Sequence, residues 1–159
     1  MIDGFFFNFS KLDYVKKKTD DSCCIICSLV SKNASLPDLE LFRSELSAVS
    51  FNLYPYNTGH LMIYPLRHVE DICCLSDAEA ADIHRLTVRS IELLRSEMSP
   101  SGFNLGYNIG DASGASIKHI HFHIVPRYAN EIGFAEILSG KKVCVSDPFK
   151  LKEKLRGRF

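Results

Sequence analysis

A chain of 159 residues, 46% of them apolar, is long enough for one domain with a real core and short for two. Its 19 basic and 19 acidic residues cancel to zero formal charge, so no bulk field calls for a nucleic acid or a membrane, and an anionic ligand must be held locally. The longest apolar runs fall far below the ~20 residues of a membrane span, "MIDGFFFNFS" lacks the basic start and cleavage site of a signal peptide, and the expected location is the cytoplasm.

In chain order the first feature is "CCIIC", which contains Cys24 and Cys27 as C-x-x-C, a weak sign of zinc that competes with two ordinary buried thiols. Redox use of the pair would need a thioredoxin-like βαβ pattern, and none surrounds it. The other cysteines, Cys23, Cys73, Cys74 and Cys144, have no evident partner, and six clustered cysteines do not make a secreted disulfide framework. From Leu39 to Ile63, "LELFRSELSAVSFN" and "GHLMIY" read as antiparallel strands, with Pro55, Asn57 and Gly59 in "YPYNTG" supplying the turn. "SDAEAADIHRLTVRSIELLRSEM" opens with Ser76 and Glu79 at capping-box spacing and sets Ile83, Leu86, Ile91, Leu94 and Met98 on one helical face; Pro100 and Gly102 end it. Two more strands follow, "FNLGYNIG" and "KHIHFHIVPR", joined by the loop "GDASGAS". The tail "DPFKLKEKLRGRF" is basic and open to a helix, expected as a solvated face or a dimer contact rather than an anion site. This order predicts an α+β domain.

His119, His121 and His123 stand at alternate positions of "KHIHFHIV". On a strand they share one face, lining a solvent-facing cleft, while Ile120, Phe122 and Ile124 face the core beneath the helix. A polar sheet face has no special use for three histidines. Two histidines at i and i+2 could share a zinc ion, yet the preceding "NIGDASGASIK" brings Asn108, Gly110, Gly114 and Ser116, and Gly-rich turns with amide and hydroxyl donors suit phosphate oxygens. Nucleophilic catalysis by histidine on phosphorus accounts for both the triplet and the loop: one imidazole presents a lone pair while its neighbours hold charge and move a proton.

The signature "HIHFHIV" resembles the His-φ-His-φ-His-φ-φ motif of the histidine triad (HIT) family of nucleotide hydrolases and transferases. "FNLYPYNTGHLMIYPLRHV", "GFNLGYNIG" and "SGASIKHIHFHIVPRY" fall in the family's order and spacing over most of residues 23–128. The chain looks most like the diadenosine tetraphosphate phosphorylase or hydrolase branch, close to the Fhit-like hydrolases. The resemblance implies an antiparallel five-stranded sheet with one long and one or more short helices. It implies one HIT domain over residues 1–159, with a core at about 23–128 and a C-terminal extension at 129–159, and a homodimer whose sheets join. It further implies an enzyme that attacks the α-phosphate of an adenine nucleotide, with a dinucleoside polyphosphate such as diadenosine tetraphosphate the expected substrate, through a covalent nucleotidyl-histidine. Other readings are a zinc-containing nucleotide-binding module and a hydrolase of AMP conjugates such as phosphoramidates.

Carried over by position, the resemblance makes His121 the nucleophile, flanked by His119 and His123, with His60 of "NTGH" as the supporting fourth histidine. It gives Asn108 and Ser116 to phosphate and Asn52 to ribose; Ile25, Ile26 and Phe51 are candidates for the purine slot. Related proteins also pair a C-x-x-C with histidines in the positions of His68 and His119, so Cys24, Cys27, His68 and His119 would hold a structural zinc ion, and no organic cofactor is expected. The chain departs from the phosphorylase pattern at Tyr128, where relatives carry tryptophan, at Phe134, in lacking Asn-Phe-Met, and in "FFFNF" for a tryptophan-rich start. These departures bear on the acceptor and the second nucleotide.

Overall fold

The computed structural model describes residues 24–129, 131 and 146–159. Its described elements are helix α1 (Ile25–Val30), strands β1 (Glu40–Arg43), β2 (Ser47–Phe51) and β3 (Leu61–Pro65), helix α2 (Asp77–Met98), strands β4 (Gly102–Tyr107) and β5 (Phe122–Arg127), and helix α3 (Pro148–Leu155). The five strands form one sheet in the order β1-β2-β3-β5-β4, and each neighbouring pair is antiparallel. The α+β expectation, a five-stranded antiparallel sheet with one long and one or more short helices, describes this architecture, in which the described short α-helices are α1 and α3.

Both faces of the central strands are covered, because alternate residues serve different layers. Val49 and Phe51 of β2 pair across to Ile63 and Leu61 of β3. With Ile124 they meet Ile83, Leu86, Leu93 and Leu94 of α2 in the larger core. The intervening residues Ala48, Met62 and Tyr64 face the other way, against Ile26 of α1. That second face carries the site.

α2 begins as its sequence predicts: Ser76 accepts from the Glu79 backbone N–H while the Glu79 carboxylate accepts from Ser76, a complete capping box. It closes at Ser99 in the left-handed region, with Pro100 next. Gly59, in the turn before β3, has φ of +82°, and a Cβ there would lie 3.0 Å from Met98 Sδ and 3.3 Å from Pro126 Cγ, so both conformation and space require glycine.

One expectation is refined and another corrected. The charged side of the C-terminal tail is solvated, with Lys150, Glu153 and Lys154 exposed, while Leu151 and Leu155 of α3 are buried in the larger core beside Leu39, because the helix carries apolar residues four apart on one side. The run "KHIHFHIVPR" is not strand throughout; pairing with β3 covers only Phe122 to Ile124, and before it the Ile120 N–H turns to the Val69 carbonyl at 2.6 Å. Among the described residues no helix is long and apolar enough to cross a membrane.

Candidate functional site

A cavity of about 390 Å³ opens between the second sheet face, α1 and the loop that follows α1. Ile25, Ile26 and Leu29 of α1, Leu36 and Pro37 of the loop, and Met62 of β3 give it an apolar slot. Its polar end gathers Asn52, Tyr56, Asn108, Gly114, Ser116, His121 and His123. Ile25, Ile26 and Phe51, the expected purine slot, all line it. The volume and the split lining suit a small amphipathic molecule with an anionic end.

The three histidines do not share a solvent-facing cleft. All are buried, and they divide between two sites: His121 and His123 line the cavity, whereas the His119 ring turns to Cys24, Cys27 and His68. The cause is local. With Ile120 bonded to Val69 instead of the β3 ladder, residues 119–121 leave the strand path and their alternation no longer keeps three rings together.

The hydrogen bonds fix each ring's tautomer in turn. His60 Nδ1 accepts the Tyr56 backbone N–H at 3.0 Å, so its proton sits on Nε2 and is donated to His123 Nδ1 at 2.9 Å. His123 therefore carries its proton on Nε2, which lies 3.4 Å from the Asn108 amide nitrogen. Two donors so close, both lining the cavity, can share one anionic oxygen. His121 is set the opposite way: its Nδ1–H donates to the His119 carbonyl at 2.9 Å, leaving Nε2 with a lone pair.

Burial keeps His60 and His121 neutral. Desolvation, followed by the neighbouring His123 and His121, pushes His60 down to about 3. The same cause lowers His121 against the opposing pull of its carbonyl acceptor. A neutral His121 with Nδ1 committed to a carbonyl is a nucleophile or a general base at Nε2.

Around the rings, Gly110 and Gly114 adopt φ of +79° and +81°, shaping the turn that brings Ser116 to the cavity. Asn52 places its amide nitrogen 3.4 Å from His60 Nδ1 and accepts the Tyr54 N–H through Oδ1. Two contributors were not apparent from sequence. Tyr56 holds the His60 tautomer through its backbone and lays its ring 4.8 Å from the His60 ring and 5.5 Å from that of His123. Asn57 donates to the Pro126 carbonyl at 2.7 Å and to Glu131 at 2.8 Å, pinning the turn to the end of β5. "YPYNTG" announces a turn, and nothing in it marks those longer contacts. Tyr128 spends its hydroxyl on the Thr58 carbonyl at 3.2 Å; residues 5–9 and Phe134, the other departures from the phosphorylase pattern, lie outside the described residues.

Some distance along the same segment, Cys24, Cys27, His68 and His119 place their ligand atoms within 4.8 Å of one another. Cys24 Sγ and Cys27 Sγ lie 3.6 and 3.5 Å from His119 Nδ1, and Cys27 Sγ lies 3.3 Å from His68 Nδ1. A tetrahedral zinc with bonds of ~2.3 Å to sulfur and ~2.05 Å to nitrogen has S···N edges of about 3.5 Å. The outer ring nitrogens are also taken: His119 Nε2–H donates to the Pro65 carbonyl at 3.0 Å and His68 Nε2 sits 3.3 Å from Glu70. Both rings therefore turn Nδ1 lone pairs inward, as metal ligands require. Four protein ligands leave no open position, so the residues fit a structural ion. Cys73 and Cys74 are exposed free thiols with no part in it; Cys23 and Cys144 lie outside the described residues.

Against known proteins, the HIT domain profile matches residues 33–130. The chain is 40% identical to an AP-4-A phosphorylase of Mycobacterium tuberculosis over 106 residues, which are 66% of this chain and 54% of that protein. It thus spans about half the length of that relative. It is 29% identical to an adenosine 5′-monophosphoramidase of Schizosaccharomyces pombe, over 69% of this chain and 78% of that one. Among solved structures, a Zn-bound histidine triad family protein of Mycobacterium smegmatis superposes with a TM-score of 0.68 at 23% identity, covering 84% of this chain and 90% of that chain. A HIT family protein of Bacillus anthracis gives 0.64 at 25% identity, with coverage of 81% and 86%. These likenesses confirm the fold.

Proposed function

Because this chain belongs to the histidine triad (HIT) domain family, whose relatives process nucleotides, we propose that it cleaves an adenine dinucleotide, a dinucleoside polyphosphate such as diadenosine tetraphosphate, at the α-phosphorus. The observation that carries the reading is the opposed pair of tautomers: a lone pair on His121 Nε2 beside a proton on His123 Nε2, both at the polar end of the cavity. His121 Nε2 attacks the α-phosphorus; a P–N bond forms as the bridging P–O bond breaks, and the leaving oxygen departs as a phosphate anion that accepts a hydrogen bond from the His123 Nε2–H. The nucleotide is then a phosphoramidate on His121. An acceptor oxygen, from water or inorganic phosphate, attacks the phosphorus and displaces the imidazole, which returns to its neutral form with Nδ1–H on the His119 carbonyl, while the acceptor's proton passes to solvent. The Asn108 amide and the Ser116 hydroxyl steady the phosphoryl oxygens, Asn52 holds the ribose, and the purine enters the slot of Ile25, Ile26 and Phe51.

Four further parts belong to this proposal. A structural zinc ion on Cys24, Cys27, His68 and His119 would tie α1 to the segment before β5, and these residues orient it while taking no part in proton movement. A homodimer joins two sheets at β4, one of the two edges of the described sheet, where Leu105 is 47% exposed. Residues 1–159 form one HIT domain with an extension after residue 128. The protein works in the cytoplasm, a reducing compartment in which Cys24 and Cys27 stay out of disulfides.

The similarity to an adenosine 5′-monophosphoramidase supports a second reading, in which the leaving group is an amine of an AMP conjugate. Incubation with diadenosine tetraphosphate, with and without inorganic phosphate, and with adenosine 5′-phosphoramidate separates the readings. ADP formed only with phosphate means phosphorolysis. AMP and ATP without phosphate mean hydrolysis. Turnover of the phosphoramidate alone would favour the second reading, and turnover of neither substrate would overturn both.

A further inference from the structure

Part of the cavity wall is loop, not helix or strand: Leu36, Pro37, Asp38 and Leu39 line it before Glu40 opens β1. A loop wall gives a ligand a poorly defined surface unless something fixes it. Here α3 does so, from outside the residues 33–130 that the domain family spans. Lys152 Nζ donates to the Asp38 carbonyl at 2.9 Å and lies 2.9 Å from its carboxylate oxygen, so one ammonium grips main chain and side chain of the same residue. The Lys152 side chain is only 14% exposed, in contrast to the 64% of Asp38. Next to this grip, Leu39 is buried with Leu151 and Leu155. The far end of the chain is seated too: Phe159 stacks on Phe42 at 4.7 Å, and the Arg89 guanidinium lies 5.0 and 5.3 Å from the two rings.

A partly exposed ion pair adds little to global stability. A double grip on residue 38 instead restricts the backbone of the loop on which the cavity depends. We propose that Lys152 is a positioning residue for nucleotide binding: through Asp38 it holds residues 36–40 as a preformed wall of the slot. This rests on the reading that the cavity takes an adenine nucleotide. The wall's ordering is prepaid in the free protein, so losing the grip raises the ordering cost of binding and leaves the phosphorus chemistry alone.

The test compares wild type with Lys152→Met, which keeps the apolar stem, with Lys152→Arg, and with Lys154→Ala, whose lysine meets Glu97 and not the cavity. AMP affinity, kcat and KM for diadenosine tetraphosphate, and amide exchange over residues 33–42 are measured, with melting as the folding control. In Lys152→Met the AMP Kd and the KM should rise about fivefold to tenfold, kcat should stay within about twofold, and exchange over 36–40 should quicken. Lys152→Arg should restore all three, and Lys154→Ala should match wild type. Unchanged affinity in Lys152→Met, or a fall in kcat at unchanged KM, overturns the inference while leaving the proposed function standing. A wild type that binds no AMP overturns the proposed function, and the inference with it.

Discussion

Replacing His121 with Asn removes the Nε2 lone pair left open by the bond from Nδ1–H to the His119 carbonyl. Turnover should fall by about 10³-fold or more, with AMP binding and melting retained, and wild type should show net retention at an isotopically chiral phosphorus because two displacements each invert. Near-normal turnover in the variant, or net inversion, would mean direct attack by water. His60 makes a prediction about pH. Folded, it is held down to about 3 from an ordinary 6.5, so it stays neutral while the unfolded chain takes up a proton below 6.5. The unfolded state then binds more protons, and stability is lost as pH falls from about 6.5 toward 3. Between pH 7 and pH 5 this one ring should cost on the order of 2 kcal/mol. Urea unfolding at the two pH values should show that excess loss in wild type relative to His60→Asn; equal losses would contradict the buried neutral ring.

At the scale of elements, α1 is too short to persist by itself, since six residues scarcely pass the nucleation cost of a helix. A metal crosslink from Cys24 and Cys27 to His68 and His119 would supply what local propensity lacks. Protein purified without chelator should hold one zinc per chain by elemental analysis, and Cys27→Ser should lose the metal and melt several degrees lower. Zinc-free protein with an unaltered melting point in the variant would return both thiols to the core. α1 also shows where sequence reading stops. α2 was legible to its first residue because Ser76 and Glu79 cap it and its apolar residues repeat at helical spacing. "CCIIC" offers no such repeat, and its helix is set by contacts with β3. The histidine triplet was legible as a family signature yet misread as geometry, because alternation specifies a shared face only where the ladder continues, and the bond from Ile120 to Val69 interrupts it. Likewise the charges of α3 suggested solvent, while Leu151 and Leu155 decided its place.

For the whole molecule, β4 is paired with β5 along one side, and as one of the two edges of the described sheet it exposes Leu105. An unprotected apolar edge is a template for another strand. Sedimentation should give a mass near twice that of the chain, and Leu105→Lys should shift it toward the monomer by adding charge where two copies would meet. A wild-type monomer at micromolar concentration would remove the dimer. Net charge is zero, so such association should depend little on salt.

His119 serves the two sites through different atoms: its ring nitrogen faces the thiols, and its main-chain oxygen sets the His121 tautomer. A carbonyl belongs to every residue. The orientation of the proposed nucleophile would therefore be indifferent to which side chain stands at position 119, provided the backbone path is kept. On that reading a relative without the metal cluster could carry another residue at position 119, whereas position 121 would have to stay histidine. A search that demands three histidines would then be stricter than the proposed chemistry.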